Sequence, residues 1–347
     1  MKKTLAILLA LVLSLSISCA LAAGKIGVSM PTQSLQRWNQ DGAYMKAMLE
    51  EAGFEADIQY ANDDVAMQAA QLEAMIAGGC KALVVTPIDG TSLGTVLAQA
   101  KAQNIPVIAY DRLIMDTDAV SYYVTYNNYI VGTDHGKYIE AALDLENAAG
   151  PFELEIFAGD TGDNNSIFIY QGIMDVLKPY LDSGKLVIPS GQREFEAVTF
   201  PAPGPDGAKA RMDSLIGTFY AGGTGPDAVL CFNDSIALGV TDSLAAAGVE
   251  KFPIITGQDC DIANVKNIIA GKQSMSILRD SRTLVDYAVL MVQDIMNGEQ
   301  PEVNDTTTYN NNMFVVPAFL CTPVYVDVNS YNFLLIENGY YTEDQLK

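Results

Sequence analysis

The sequence predicts an α/β protein with two doubly wound parallel sheets, and three observations support this fold class. Short apolar segments alternate with segments of helical spacing along most of the chain, a pattern typical of parallel sheets built from right-handed βαβ units. The alternation begins near residue 25 and starts again near residue 131. The length of 347 residues and the apolar share of 49% suit two domains, each with a sizeable core.

The first run of elements contains five strands and three helices. Gly53 and the pair Gly78-Gly79 end the first two helices, since glycine is favoured just past a helix C-terminus. Residues 82–85 are apolar at every position, which predicts a strand buried on both faces of its sheet. We predict strands at 25–30, 54–60, 82–85, 106–110 and 121–126, and helices at 39–52, 64–77 and 92–103.

The second run repeats this alternation and then adds a C-terminal set of elements. We predict strands at 153–157, 186–188, 228–232 and 253–256, and helices at 131–145, 166–177, 208–220 and 236–247. Beyond them we predict helices at 262–270 and 284–297 and strands at 273–278 and 309–316.

The N-terminus has the pattern of a secretory signal peptide over residues 1–22. Lys2 and Lys3 precede a short apolar run, and Ala20-Leu21-Ala22 provides a small-residue cleavage site. We therefore expect the protein outside the cytoplasm, in the periplasm or at the cell surface. Cys19 leaves an alternative open, since the run Ser16 to Cys19 also resembles a degenerate lipobox, which would make the protein a lipoprotein.

Charge and cysteine content narrow the function classes. The chain has 20 Lys and Arg against 42 Asp and Glu, and this net charge of −22 argues against nucleic-acid binding. The cysteines that follow the signal peptide are far apart, with no CxxC pair or metal-site spacing. We expect buried free thiols on strands, with one disulfide as the alternative; they are Cys80, Cys231, Cys260 and Cys321.

Polar side chains follow five of the predicted strands. Ligands of open α/β sheets bind beyond the carboxyl ends of the strands, so we expect these side chains to face one cleft. Each group alone also has an ordinary explanation as a capped loop, a helix N-cap or a local ion pair. The groups are Gln36-Arg37-Trp38-Asn39, Asp111-Arg112, the run 159–165, Asn233-Asp234 and Gly257-Gln258-Asp259.

These residue types suit a monosaccharide. Carboxylates and amide oxygens accept hydrogen bonds from sugar hydroxyls, and Arg and Asn nitrogens donate to them. Asp111 beside Arg112 offers both kinds of group, and Trp38 is the only tryptophan, available to cover the C–H face of a sugar. We expect two lobes to close around the ligand.

Enzyme signatures are sparse. His135 is the only histidine, which argues against a Ser-His-Asp triad, and we expect it to be exposed or to cap its helix. The sequence has no GxSxG and no P-loop motif, and we expect no cofactor and no metal. Paired carboxylates leave glycoside hydrolysis as the weaker alternative.

At these residues the sequence resembles the periplasmic sugar-binding proteins of ABC importers, in the branch of the xylose-binding and multiple-monosaccharide-binding proteins. The resemblance extends over nearly the whole chain after residue 22. It rests on Arg37-Trp38, residues 71–76 and 109–113, Asp163-Asn164-Asn165, residues 177–185 and 210–213, Asn233-Asp234, Gly257-Gln258-Asp259 and residues 341–346.

The resemblance implies the type I binding-protein fold, with two Rossmann-like lobes joined by three crossover strands. It places hinges near residues 126–128, 259 and 309–314. The first lobe would then comprise residues 23–127 with 260–309, and the second lobe 128–259 with 310–347. The sugar would bind in the cleft between them.

The resemblance also implies the sugar contacts and the partner. Arg37, Asp111 and Arg112 would come from the first lobe, and Asp163, Asn165, Asp234 and hinge residue Asp259 would complete the site. Trp38 is a stacking candidate on chemical grounds. The implied function is a monomeric receptor, not an enzyme, that delivers a monosaccharide of the xylose, glucose or galactose type to an ABC transporter permease. The alternative is a sensor that presents the sugar to a chemoreceptor or histidine kinase.

Two departures from the family pattern bear on the choice of sugar. Ser214 stands where the family commonly has Asn, and Arg193 stands where the xylose-binding protein has an aromatic residue. Both changes argue against xylose as the specific ligand, and they leave the binding role intact.

Overall fold

Six parallel strands form the sheet of the first lobe in this computed structural model, which describes residues 24–159, 161–200, 204–220 and 224–347. The strand order is β2-β1-β3-β4-β5-β11. The predicted signal peptide, with Cys19, lies outside the described residues. The strands are β1 (Lys25–Met30), β2 (Glu55–Tyr60), β3 (Ala82–Val85), β4 (Val107–Tyr110), β5 (Val120–Tyr126) and β11 (Ala318–Cys321).

Helices cover both faces of this sheet, as expected for a doubly wound lobe. Helices α1 (Gln36–Glu51) and α10 (Ser281–Asn297) pack on one face, in a core that includes Leu49 and Leu284. Helices α2 (Val65–Ala77) and α3 (Gly94–Ala102) cover the other face. The predicted alternation is therefore confirmed for this lobe.

The second lobe is built on a parallel sheet with the strand order β7-β6-β8-β9. Its strands are β6 (Phe152–Phe157), β7 (Leu186–Val187), β8 (Ala228–Cys231) and β9 (Ile254–Ile255). Its helices are α4 (Asn128–Ala142), α5 (Asn165–Asp182), the short α6 (Phe195–Val198), α7 (Pro205–Phe219) and α8 (Asp234–Ala246).

The C-terminal elements complete the second lobe. Strands β10 (Met275–Leu278) and β12 (Val324–Asp327) form an antiparallel pair, and Ile277 bridges Gln258 at the edge of the lobe. A small apolar cluster joins helix α9 (Ile262–Ile269) and β12 to a π-helix (Asn332–Glu337) and a final 3-10 helix (Glu343–Leu346). We call residues 331–347 the C-terminal strap.

The chain passes between the lobes after β5, between β10 and α10, and between β11 and β12. The predicted second hinge near Asp259 is too early, because Met275 and Ile277 of β10 lie in the core of the second lobe. The predicted strand 309–316 is a loop, and Tyr309 packs in the first lobe. Placing all of 310–347 in the second lobe was also wrong, because β11 pairs with β5.

The four cysteines after the predicted signal peptide are buried as predicted, whereas His135 is not placed as predicted. Cys80, Cys231, Cys260 and Cys321 are buried and free, and two of them, Cys231 and Cys321, lie on strands. His135 was expected to be exposed or capping, but it is fully buried on α4, where the helix packs closely on α5. No helix among the described residues is long and apolar enough to cross a membrane.

Candidate functional site

A cavity of about 350 Å³ lies between the two lobes, beyond the carboxyl ends of their strands. Seven of the eight predicted site residues line it, and the eighth, Asp234, does not. The lining predicted residues are Arg37, Trp38, Asp111, Arg112, Asp163, Asn165 and Asp259.

Arg37, near the start of α1, donates four hydrogen bonds to three carboxylates. Its Nε donates to both carboxylate oxygens of Asp41, at 3.0 and 2.9 Å, one helical turn further along. Its Nη1 donates to Asp259 at 2.9 Å and its Nη2 to Asp111 at 3.1 Å. The fully buried Asp41 also accepts from the Tyr110 hydroxyl at 2.8 Å. Tyr110 thus holds the carboxylate that in turn holds the guanidinium of Arg37.

Arg279 provides a second guanidinium to the same pair of carboxylates. Its Nη1 donates to Asp111 at 3.2 Å and its Nη2 to Asp259 at 2.9 Å. Asp111 comes from the first lobe and Asp259 from the second, so Arg37 and Arg279 join the two lobes at the base of the cavity. Arg279 follows β10 directly and was not among the predicted site residues, because the second hinge was predicted to precede that strand.

Burial and the neighbouring guanidinium groups shift the pKa values of Asp259 and Asp41 in opposite directions. Burial favours the neutral form of Asp259, but Arg279 and Arg37 outweigh it and lower the pKa of that carboxyl. For Asp41, burial outweighs Arg37 and raises the pKa. The ionised Asp259 is thus a fixed acceptor.

A second set of contacts crosses the cleft on its other side. Arg112 Nε lies 3.2 Å from the carboxylate of Asp163. Asn165 donates from Nδ2 to the Asp111 carbonyl at 2.8 Å and accepts from the Tyr123 hydroxyl at 3.1 Å. Asp111 has a positive φ of 61°, a conformation that Asp tolerates better than most residues, and it directs its carbonyl toward this set.

Trp38 forms a nearly buried wall of the cavity, with 4% of its surface exposed. The guanidinium carbons of Arg37 and Arg112 each lie 5.4 Å from the centre of its ring. These cation–π contacts hold the indole at a defined angle to the cavity.

Asp234 lies beneath the cavity, not in its lining. Its carboxylate accepts from the Ser276 hydroxyl at 2.9 Å, from Gln273 at 3.0 Å and from the backbone N–H of Asp261 at 2.9 Å. The preceding Asn233 lines the cavity and accepts from the N–H of Ile236 as the N-cap of α8. Asp234 therefore supports the site from below, and its predicted direct contact is wrong for this arrangement.

Two acceptors in the lining have no hydrogen-bond partner among the described residues. They are Oε1 of Gln258 and Oδ1 of Asp261, both buried atoms. The pKa of Asp261 is raised to about 7, mainly by burial and next by the negative charge of the nearby Asp259. Arg37 lowers this pKa, but by less. Gln258 was noted in the sequence as part of a strand end, but nothing in the pattern distinguished Asp261. Both oxygens can receive a donor from a ligand.

Two positions that had been used to judge the ligand lie away from the cavity. Ser214 is exposed on α7, and Arg193 pairs with Asp182 at 3.1 Å on the surface of the second lobe. Neither residue lines the cavity, so neither bears on whether xylose binds there. The described residues contain no group of His, Cys, Asp and Glu side chains arranged to hold a metal ion.

Comparison with known proteins identifies the family. Residues 26–300 match the model of the periplasmic binding protein domain. The chain belongs to the periplasmic binding protein family. The predicted resemblance and the type I fold are thereby confirmed.

Several members of the family are similar over almost their full length. The multiple sugar-binding periplasmic receptor ChvE of Rhizobium radiobacter is 45% identical over 328 residues, which cover 93% of this chain and 92% of the receptor. The D-xylose-binding periplasmic protein of Escherichia coli is 33% identical, with coverages of 93% and 92%. A solved ABC transporter solute-binding protein from Clostridium phytofermentans, with bound β-D-glucose, is 58% identical with a TM-score of 0.91, and covers 93% of this chain and 100% of its own.

Proposed function

We propose that this protein is an extracytoplasmic receptor that captures a monosaccharide by closure of its two lobes and delivers it to an ABC transporter permease. The observation that carries the proposal is the interlobe cavity, to which both lobes contribute. It combines fixed carboxylates from the two lobes, the indole of Trp38 from the first lobe, and two oxygens of the second lobe that have no hydrogen-bond partner among the described residues. Relatives that bind several sugars, xylose or glucose support the ligand class. Binding and release, without a chemical step, complete this function.

The polar groups of the cavity suit the hydroxyls of a sugar. Asp111 and Asp259 are each held by two guanidinium groups, so they can accept from a ligand without rearranging. Gln258 and Asp261 each offer an oxygen that lacks a partner among the described residues. A ligand without a donor at these positions would leave them unsatisfied, at a cost of about 1–3 kcal/mol for each buried group. This cost favours polyhydroxylated ligands over less polar ones.

Export would bring the receptor to its substrate. We propose that residues 1–22 are a signal peptide, and that the mature chain either begins after Ala22 or is anchored through a lipid on Cys19. Mass spectrometry of the protein recovered from its host membrane and soluble fractions distinguishes the two forms by the mass of the N-terminal peptide.

The ligand is tested by thermal unfolding of the purified chain in the presence of single sugars. The panel contains D-glucose, D-xylose, D-galactose, L-arabinose and D-ribose. A sugar that binds only the folded state stabilises it by about 2.7 kcal/mol at a concentration one hundred times its Kd. A rise in Tm with at least one of these sugars supports the proposal. Unchanged unfolding with all five contradicts it.

A further inference from the structure

The C-terminal strap places one hydroxyl between the two lobes. Tyr341, which is 3% exposed, belongs to the apolar cluster that packs the strap against the second lobe. Its hydroxyl donates to the carbonyl of Cys260 at 3.0 Å. The same hydroxyl accepts from Nε2 of Gln36 at 2.7 Å and from Nε2 of Gln40 at 3.2 Å. Both glutamines lie on α1 of the first lobe, so the hydroxyl bridges the lobes with all of its bonding capacity.

Gln36 continues this bridge with the other end of its amide. Its Oε1 accepts from the backbone N–H of Ile262 at 3.3 Å, at the start of α9 in the second lobe. Gln36 directly precedes Arg37 and Trp38, the residues that α1 contributes to the cavity. The position of this helical turn is therefore coupled to the strap.

We propose that Tyr341 is a positioning residue for sugar binding, which clasps the first turn of α1 to the second lobe and favours the closed form. Tyr341 does not line the cavity, so it acts through the turn that carries Arg37 and Trp38. A ligand that binds the closed form has an apparent affinity proportional to the population of that form. Loss of the clasp lowers this population and weakens binding without removing a ligand contact. This inference rests on the proposed function.

The first test compares the affinity of D-glucose, or of the panel sugar with the largest shift, for three chains. Tyr341→Phe keeps the ring and removes the hydroxyl, and we expect about three- to tenfold weaker binding from the loss of its cross-lobe hydrogen bonds. Tyr340→Phe is the matched control, because the Tyr340 hydroxyl bonds to neither glutamine. We expect the Tyr340→Phe variant to bind the sugar with the affinity of the wild type. Equal affinities of the Tyr341→Phe variant and the wild type would overturn the clasp.

A double-mutant cycle with Gln36→Ala separates the clasp from a general loss of packing. If Tyr341 acts mainly through Gln36, the double variant loses less affinity than the sum of the two single losses, because only the longer bond to Gln40 remains for Tyr341→Phe to remove. Independent, additive losses would contradict the proposed route. The Trp38 emission spectrum at saturating sugar should be the same in Tyr341→Phe as in the wild type, because the ligand contacts are intact.

A ligand-independent measurement keeps this inference separate from the proposed function. Hydrogen exchange of the Ile262 amide in the sugar-free chain reports on its bond to Gln36. We expect faster exchange in Tyr341→Phe and unchanged exchange in Tyr340→Phe. If the wild type binds no sugar but this difference appears, the proposed function fails and the clasp stands. If sugar binds and exchange is equal in all three chains, the clasp fails and the function stands.

Discussion

At the level of single residues, the base of the cavity is a group of paired charges in which two guanidinium groups face three carboxyl groups. Arg37 and Arg279 face Asp41, Asp111 and Asp259, and every distance that joins them lies between 2.9 and 3.2 Å. Removing one member of such a buried group leaves its partners uncompensated, which is usually costlier than the pair is stabilising. The group therefore has a structural role besides the binding role that we propose for it. Variants that test the binding role must keep the shape of the side chain and remove only its charge.

Asp111→Asn is the most direct test of the binding role. It keeps the size of the side chain and removes the charge that holds both guanidinium groups, so we expect sugar affinity to fall about 10- to 100-fold. Calorimetric titration measures the loss, and circular dichroism checks that the fold is retained. Asp118→Asn is the control, since it breaks an exposed pair with Lys101 in the same lobe and should leave affinity unchanged. Full affinity in Asp111→Asn would remove Asp111 from the site.

His135 gives the protein an intrinsic dependence of stability on pH. Burial lowers its pKa to about 3 from the ordinary 6.5, and neither ring nitrogen has a hydrogen-bond partner among the described residues. The unfolded chain therefore binds this proton at a higher pH than the folded chain. The stability due to neutral His135 is complete above pH 6.5 and is lost as the pH falls toward 3.

We expect this loss to reach about 2 kcal/mol between pH 7 and pH 5. Urea unfolding of the wild type and of His135→Leu at the two pH values measures it. The difference between the proteins isolates the histidine, because the carboxylates are common to both. Parallel pH dependences in the two proteins would show that His135 does not titrate as its burial implies.

The strand-end pattern predicted most of the site but not the direction of each side chain. Seven of the predicted residues line the cavity because parallel strands bring their carboxyl ends to one edge. Asn233 and Asp234 are adjacent at the start of α8, and only the three-dimensional turn decides that the first faces the cavity and the second faces Ser276. Asp261 could not be identified, because its Oδ1 is distinguished only by having no hydrogen-bond partner among the described residues, and this is a property of the packed structure.

At the scale of elements, α4 and α5 cross at unusually close range. A Cβ added to Gly172 would lie 2.3 Å from the carbonyl oxygen of Tyr129, and one added to Gly132 would lie 2.1 Å from that of Ile169. These are backbone atoms, so a side chain at either position forces the helices apart. The glycines permit the contact of these two helices in the second lobe.

Gly172→Ala should destabilise the protein by more than about 2 kcal/mol, since overpacking costs typically 1–3 kcal/mol and here the obstacle is backbone. Gly217→Ala on α7 is the matched control. Its added Cβ meets nothing within 4 Å, so the better helix propensity of Ala should stabilise by about 0.5–1 kcal/mol. Thermal unfolding compares the two variants. Destabilisation of the same size in both would contradict the role of close packing.

The elements that the sequence predicted best are the buried strands. β1 and β3 have the predicted bounds. β3 is an apolar run between Lys81 and Thr86, and β1 lies between Gly24 and Pro31, so both strands are delimited in the sequence. β11 and β12 were missed, since each has four residues and they follow a segment rich in Asn and Thr. Their places depend on pairing with β5 and β10, which are distant in sequence.

At the scale of the whole molecule, closure should change the shape in solution. The cross-cleft bonds of Arg37, Arg112 and Asn165 describe an arrangement with the lobes together. We expect a bound sugar to reduce the radius of gyration measured by small-angle X-ray scattering, because the ligand adds contacts to both lobes. The Asp111→Asn variant, at a sugar concentration that saturates the wild type but lies well below the Kd of the variant, is the control and should show no change. An identical radius with and without a tightly bound sugar would exclude closure as the mechanism.

The late strand β11 also restricts the order in which the protein can be assembled. The first lobe needs Ala318–Cys321 to complete the edge of its sheet and Ser281–Asn297 to cover one of its faces. During synthesis, the N-terminal part of the first lobe therefore lacks helix α10 on one face until residue 297 has been made, and one edge strand until residue 321 has been made. We therefore expect the first lobe to reach its final packing only after β11 has been made. Such a delay suits passage across a membrane, because an apparatus that threads polypeptides needs them unfolded.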